Sequence, residues 1–257
     1  MSGVLPASEG DSVGLSMARS YGTFAAAVEG QRRIFVHMLV LGLLISGLAG
    51  GLAIAPPALA ETPAGQSPKP IKMVVLGDSL SAGYGLPGPA AFPARLQKAL
   101  KSNGIEVSMI NAGVSGDTSS GGRDRLDWSV PEGTDAVIVE LGANDALRGT
   151  DPKVTREALS DIVTRLKARK IAVLLCGMLA PPNYGSEYAA RFNTIYPDLS
   201  KSFGVPLYPF FLEGVAGDAK LNQPDGLHPT VEGVDVIVKN ILPTVQAFLG
   251  ALSGQRS

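Results

Sequence analysis

Three side chains in this 257-residue sequence have the types that nucleophilic catalysis needs: Ser79, Asp225 and His228. Ser79 stands in Gly77-Asp78-Ser79, directly after the apolar run 71–76. Such a triplet on its own more often marks a turn or a helix start. A serine hydroxyl is a poor nucleophile at neutral pH and needs a base that titrates near 7, which is histidine chemistry. The sequence has two histidines; His37 lies inside an apolar segment, which leaves His228 in Asp225-Gly226-Leu227-His228-Pro229. Asp225, three residues earlier on a tight turn, can hold the imidazole tautomer and stabilise its charged form. An oxyanion forming on an attacked carbonyl needs donors. The Ser79 and Gly116 N–H groups and the Asn144 side-chain amide can supply them, the last two from the loops 112–118 and Gly142-Ala143-Asn144-Asp145. Each of these residues alone reads as a turn former. Together, four loops each carry one part of a serine-type acyl-transfer centre.

The elements that must position these loops alternate strand and helix. Strands are expected at 71–76, 105–111, 136–141, 171–176 and 205–211, each a short apolar run bounded by turn residues. Helices are expected at 91–101, 119–126, 152–170, 186–203 and 229–249, with Asp151 and Ser186 as caps. Repeated strand-helix units give a three-layer α/β/α, flavodoxin-like fold with a parallel five-stranded sheet. Ligands of such sheets collect beyond the carboxyl ends of the strands, where all four loops fall. The apolar, proline-stiffened stretches 147–151 and 179–184 follow strands on that side, making Leu147, Pro181 and Tyr184 candidates for an acyl groove.

Composition narrows the class. With 45% hydrophobic and 18% charged residues, the chain is too apolar to be disordered, and a net charge of -1 gives no footprint for nucleic acid. The single cysteine, Cys176, falls in an apolar strand and reads as a core residue. No metal-ligand spacing or Walker loop is present. Arg32-Arg33, an uncharged stretch with its apolar core at about 34–55, and Ala58-Leu59-Ala60 form the three parts of a secretory signal. Residues 1–60 are therefore expected to be an N-terminal extension and signal peptide cleaved near 60, with Met17 an alternative start. Residues 61–70 read as a linker, 71–249 as the domain and 250–257 as a tail. The expected location is the periplasm or the exterior, or the membrane if the segment is not cut.

Gly77-Asp78-Ser79-Leu80-Ser81, the loop 111–118, Gly142-Ala143-Asn144-Asp145 and Asp225-Gly226-Leu227-His228 resemble the successive blocks of the GDSL/SGNH hydrolases. Pro181-Pro182-Asn183-Tyr184-Gly185 and Ile195-Tyr196-Pro197 look like its bacterial thioesterase, arylesterase and lysophospholipase subgroup. The resemblance implies that Ser79 is the nucleophile, His228 the base and Asp225 its partner. It places Ser79, Gly116 and Asn144 around the oxyanion, with a small-molecule acyl ester or thioester of any chain length as substrate and no cofactor. Gly113 stands where such relatives often carry serine, which puts the rigidity of its loop in question. Ser81 replaces the second glycine of Gly-x-Ser-x-Gly, so an elbow of the α/β-hydrolase type is not indicated. Two other readings stay open: a carbohydrate O-acetyl esterase with the same triad, and a non-catalytic α/β binding module.

Overall fold

Five apolar strands form one parallel sheet: β1 (Ile71–Gly77), β2 (Val107–Gly113), β3 (Ala136–Glu140), β4 (Ala172–Cys176) and β5 (Leu207–Tyr208). Their spatial order is β2-β1-β3-β4-β5. The computed structural model describes residues 69–254. The expected leader, its cleavage point and nearly all of the linker lie outside the described residues, as do residues 255–257. Nine α-helices accompany the sheet among the described residues: α1 (Ser79–Ala82), α2 (Phe92–Ser102), α3 (Ser119–Asp124), α4 (Leu126–Ser129), α5 (Ala143–Leu147), α6 (Pro152–Ala168), α7 (Gly185–Phe192), α8 (Ile195–Phe203) and α9 (Val231–Gly254).

Right-handed crossovers decide which face each helix covers. The step from β1 to β2 runs one way across the sheet and all later steps run the other way. Accordingly α2 packs on α9, while α3, α7 and α8 pack on α6. The three-layer α/β/α expectation holds. Connections diverge from the adjacent strands β1 and β3, so the crevice at their carboxyl ends is the topological switch point. These two strands are also the driest, with Met73 to Leu76 and all of β3 buried. Edge strand β2 is mostly exposed or half-buried.

Several boundaries differ from the expectations, each for a local reason. β2 begins at Val107 because the Ile105 N–H turns back to the Leu100 carbonyl to close α2. It runs on to Gly113, which pairs with Gly77. The expected helix 119–126 is split by Arg125 into α3 and α4. The expected helix 186–203 breaks between α7 and α8, which leaves Pro197 in the first turn of α8, where its missing N–H costs nothing. Ser186 is not the cap; α7 starts at Gly185 without a side-chain cap. β5 shrinks to two residues between Pro206 and Pro209, neither of which can donate to a ladder. The last helix starts at Val231, where Thr230 accepts from the Gly233 N–H, and continues to Gly254.

Gly113 is fixed by its neighbours. A Cβ there would lie 2.3 Å from the Ala82 backbone nitrogen and 2.9 Å from the Asp78 carbonyl oxygen. The missing side chain lets α1 sit directly on the end of β2, next to the loop that follows. Gly113→Ala is expected to destabilise the protein by about 1–3 kcal/mol through overpacking. Urea denaturation checks this; an unchanged midpoint would show that α1 can move away freely.

Candidate active site

The nucleophile candidate sits at the first position of α1. Asp78 caps that short helix, its Oδ1 accepting from the Leu80 N–H at 3.0 Å. The Ser79 N–H has no partner among the described residues, as expected for a first helical turn. Ser79 is buried, 7% exposed.

The second arm comes from the loop before α9. Asp225 Oδ1 accepts from the Leu227 and His228 N–H groups at 2.9 and 3.0 Å, and Gly226 takes φ +69° to complete the turn. Asp225 Oδ2 lies 2.6 Å from His228 Nδ1, and His228 Nε2 lies 2.9 Å from Ser79 Oγ. An ionised carboxylate only accepts, so Nδ1 carries the proton and Nε2 is free to accept from the serine hydroxyl. The backbone N–H of His228, then its ring and the Leu227 N–H, hold Asp225 down at about 2. Tyr84 covers the imidazole with ring centroids 4.5 Å apart. Gln223 Nε2 donates to the Tyr84 and Pro229 carbonyls at 2.8 and 2.9 Å, linking this loop to the one beyond Ser79.

Gly116 is the third residue of a turn in which the Asp117 N–H reaches the Val114 carbonyl, and its φ of +80° calls for glycine. Its N–H has no partner among the described residues, while its carbonyl accepts from Arg148 at 2.8 Å. Asn144 binds this loop directly: Nδ2 donates to the Asp117 carbonyl at 2.9 Å and to Asp78 Oδ2 at 3.1 Å. Ser79, Asn144 and His228 line a largely apolar cavity of about 470 Å³, with Met178, Phe210 and Leu212 among its walls. Leu147 and Pro181 line it too. Tyr184 does not; its hydroxyl donates to the Leu147 carbonyl at 2.8 Å and braces that wall from behind. Among the described residues no group of three or more His, Cys, Asp or Glu side chains is placed to hold a metal ion.

A family model for the GDSL-like lipase/acylhydrolase family matches residues 75–236, which contain every residue of this arrangement. The chain belongs to that family. Esterase TesA of Pseudomonas aeruginosa is 36% identical over 208 residues, covering 80% of this chain and 98% of the relative. Thioesterase 1/protease 1/lysophospholipase L1 of Escherichia coli K12 is 41% identical over 178 residues, covering 67% and 84%. The solved structure of AlinE4, an SGNH-hydrolase family esterase, superposes with a TM-score of 0.60 at 43–44% identity, covering 71% of this chain and 98% of that one. The chain is thus a GDSL-type serine esterase.

Sequence reasoning missed the carboxylates behind the serine. Glu140 closes the otherwise apolar β3 and is fully buried. Its Oε2 accepts from the Ser81 hydroxyl at 2.6 Å and from the Asp78 N–H at 3.4 Å, and Oε1 has no partner among the described residues. Burial, then the neighbouring Asp78, pushes Glu140 well above the ordinary carboxyl range. A charged residue ending an all-apolar strand was the available signal. Asp78 is likewise raised, to about 6, chiefly by burial.

Asp78 therefore holds its proton more tightly in the folded protein than in the unfolded chain, where it titrates near 3.8. Its contribution is fully present below that value and is lost as pH rises through about 6. Asp78→Asn has no such loss. Between pH 4 and pH 8 the stability difference should move in the variant's favour by on the order of 3 kcal/mol. Urea unfolding of both proteins at the two pH values measures it; a pH-independent difference would contradict the raised Asp78.

Proposed function

We propose that this esterase cleaves carboxylic ester or thioester bonds of acyl substrates through Ser79, His228 and Asp225, by way of an acyl-enzyme. The observation carrying this reading is the unbroken chain from Asp225 through His228 to Ser79, at 2.6 and 2.9 Å, beside a largely apolar cavity. Ser79 Oγ attacks the carbonyl carbon as its proton passes to His228 Nε2, and Asp225 stabilises the imidazolium. The carbonyl oxygen becomes an oxyanion held by the Ser79 N–H, the Gly116 N–H and Asn144 Nδ2. Collapse breaks the bond to the leaving alcohol or thiol, which takes the proton from Nε2. Water then attacks the acyl-serine, giving up its proton to His228, and the acid departs as Ser79 is reprotonated. The Asn144 hydrogen directed at Asp78 is the one that the oxyanion shares, since the other ties Asn144 to the Asp117 carbonyl. Leu147, Pro181 and the cavity walls from Met178 to Leu212 take the acyl chain, with Tyr184 supporting Leu147.

The relatives' names span ester and thioester hydrolysis, and an apolar cavity with few polar groups suits an acyl chain better than a sugar. The first test is hydrolysis of p-nitrophenyl esters from acetate to palmitate, and of acyl-CoAs, by the purified full chain. Ser79→Ala should remove nearly all turnover, and Asn144→Ala should lower it by on the order of 10²–10³-fold. Undiminished turnover in Ser79→Ala would overturn the mechanism. Activity confined to acetyl esters, and present on acetylated glycans, would select the O-acetyl esterase.

Export follows from the same proposal. Residues 1–60 serve as a signal cleaved after Ala60, supported by Arg32-Arg33, the uncharged stretch and Ala58-Leu59-Ala60. Amino-terminal sequencing of the exported protein should read Glu61 first; a first residue within 1–33 would refute it.

A further inference from the structure

One buried cation binds the chain segments around the proposed oxyanion site without lining the cavity. Arg125 stands at the break between α3 and α4 and is only 7% exposed. Its Nη2 donates to the Gly77 carbonyl at 2.8 Å, at the end of β1. Its Nη1 donates to the Ala112 carbonyl at 2.7 Å, near the end of β2, and to Ser129 Oγ at 3.0 Å. Its Nε donates to Asp117 Oδ2 at 2.6 Å, an ion pair in which both side chains are largely buried.

Taking the reading of Ser79, Gly116 and Asn144 above, we propose that Arg125 is a positioning residue that sets the mutual placement of all three oxyanion donors. Gly77 precedes Ser79 by two residues, so the grip on its carbonyl fixes the entry to α1. Ala112 and Asp117 bracket Gly116, so two bonds from one planar group fix both ends of the loop that presents its N–H. The Asp117 carbonyl in turn accepts from Asn144, which carries the constraint to the third donor. A guanidinium suits this task because its donors lie in a rigid plane with fixed directions, whereas a lysine ammonium is a single flexible point. Burying a cation is also an inefficient way to stabilise a fold, since well-packed apolar groups do as well or better. Its expense is repaid where three chain segments must be held in register.

The consequence is specific: loosening Arg125 should harm the transition state and spare substrate binding. Misplacement of catalytic groups by about 1 Å costs on the order of 10²-fold in rate. In the full chain, Arg125→Lys should lower kcat per active site, titrated with a serine-reactive phosphonate, by on the order of 10²-fold. KM should stay within about threefold, and affinity for a boronic acid that forms a tetrahedral adduct on Ser79 should fall in parallel with kcat. Asp117→Asn, which keeps the Asp117 carbonyl and removes only the ionic partner, should shift the same quantities in the same direction by a smaller factor. It also supplies the readout if Arg125→Lys does not fold. Parental kcat and boronate affinity in the folded variants, with only a lower melting temperature, would show a purely structural role and overturn the proposal. Ser79→Ala tested alongside separates the two failures: if it stays active, the catalytic reading falls; if it is dead while the Arg125 variants are unimpaired, only this inference falls.

Discussion

The register of three parallel strands is the constraint on which the site rests. Gly77 lies level with Gly113 on one side and with Glu140 on the other. Parallel pairing makes these three chain segments leave the sheet at the same height and in the same direction. The serine, the Gly116 loop and the Asn144 loop therefore emerge within a few residues of one line. Slipping one strand by a single residue would reverse its side chains and move its loop along the edge. The buried apolar residues of β1 and β3 set that register, so hydrophobic packing supplies the precision that the polar groups use.

Two aspartates show how environment assigns opposite properties to one side chain. Asp225 is held near 2 because backbone N–H groups and an imidazole aim at a carboxylate that stays in touch with water. Asp78 is raised to about 6 because removal from water outweighs the Leu80 N–H and the Asn144 amide. The first stays ionised and faces the His228 ring at 2.6 Å. The second lies behind Ser79, buried, and takes up its proton only as pH falls through about 6. Glu140 beneath α1 is also raised, by burial and then by the neighbouring Asp78.

The sheet, the helix order and the loops that carry polar residues were legible in the sequence because apolar periodicity and turn residues act locally. Asp151 capping α6 through the Lys153 N–H is such a case. Tight side-chain motifs were legible too: Asp225 and His228 are three residues apart, and their contact follows from one turn. What escaped were partners brought together only by tertiary structure. Arg125 contacts Gly77 across 48 positions, and Glu140 meets Ser81 across 59. Tyr184 shows the converse: a side chain in a cavity-bordering loop that bonds the Leu147 carbonyl instead of lining the cavity. Element ends were misjudged where proline or a cap competed with periodicity, as at Pro197 and Pro206.

The hydrogen bond between Ser79 and His228 spans 149 positions, and the Gln223 bond to Tyr84 spans 139. The histidine arrives on the last loop before the last helix, and α9 packs on α2 from the beginning of the domain. On the proposed mechanism, a growing polypeptide carries its serine through 149 positions before its base is made. Closing so long a loop is an entropic step that only the finished chain can complete. If the proposed triad carries the chemistry, turnover is a readout of the finished molecule, silent in nascent chains and in any product truncated before the final loop.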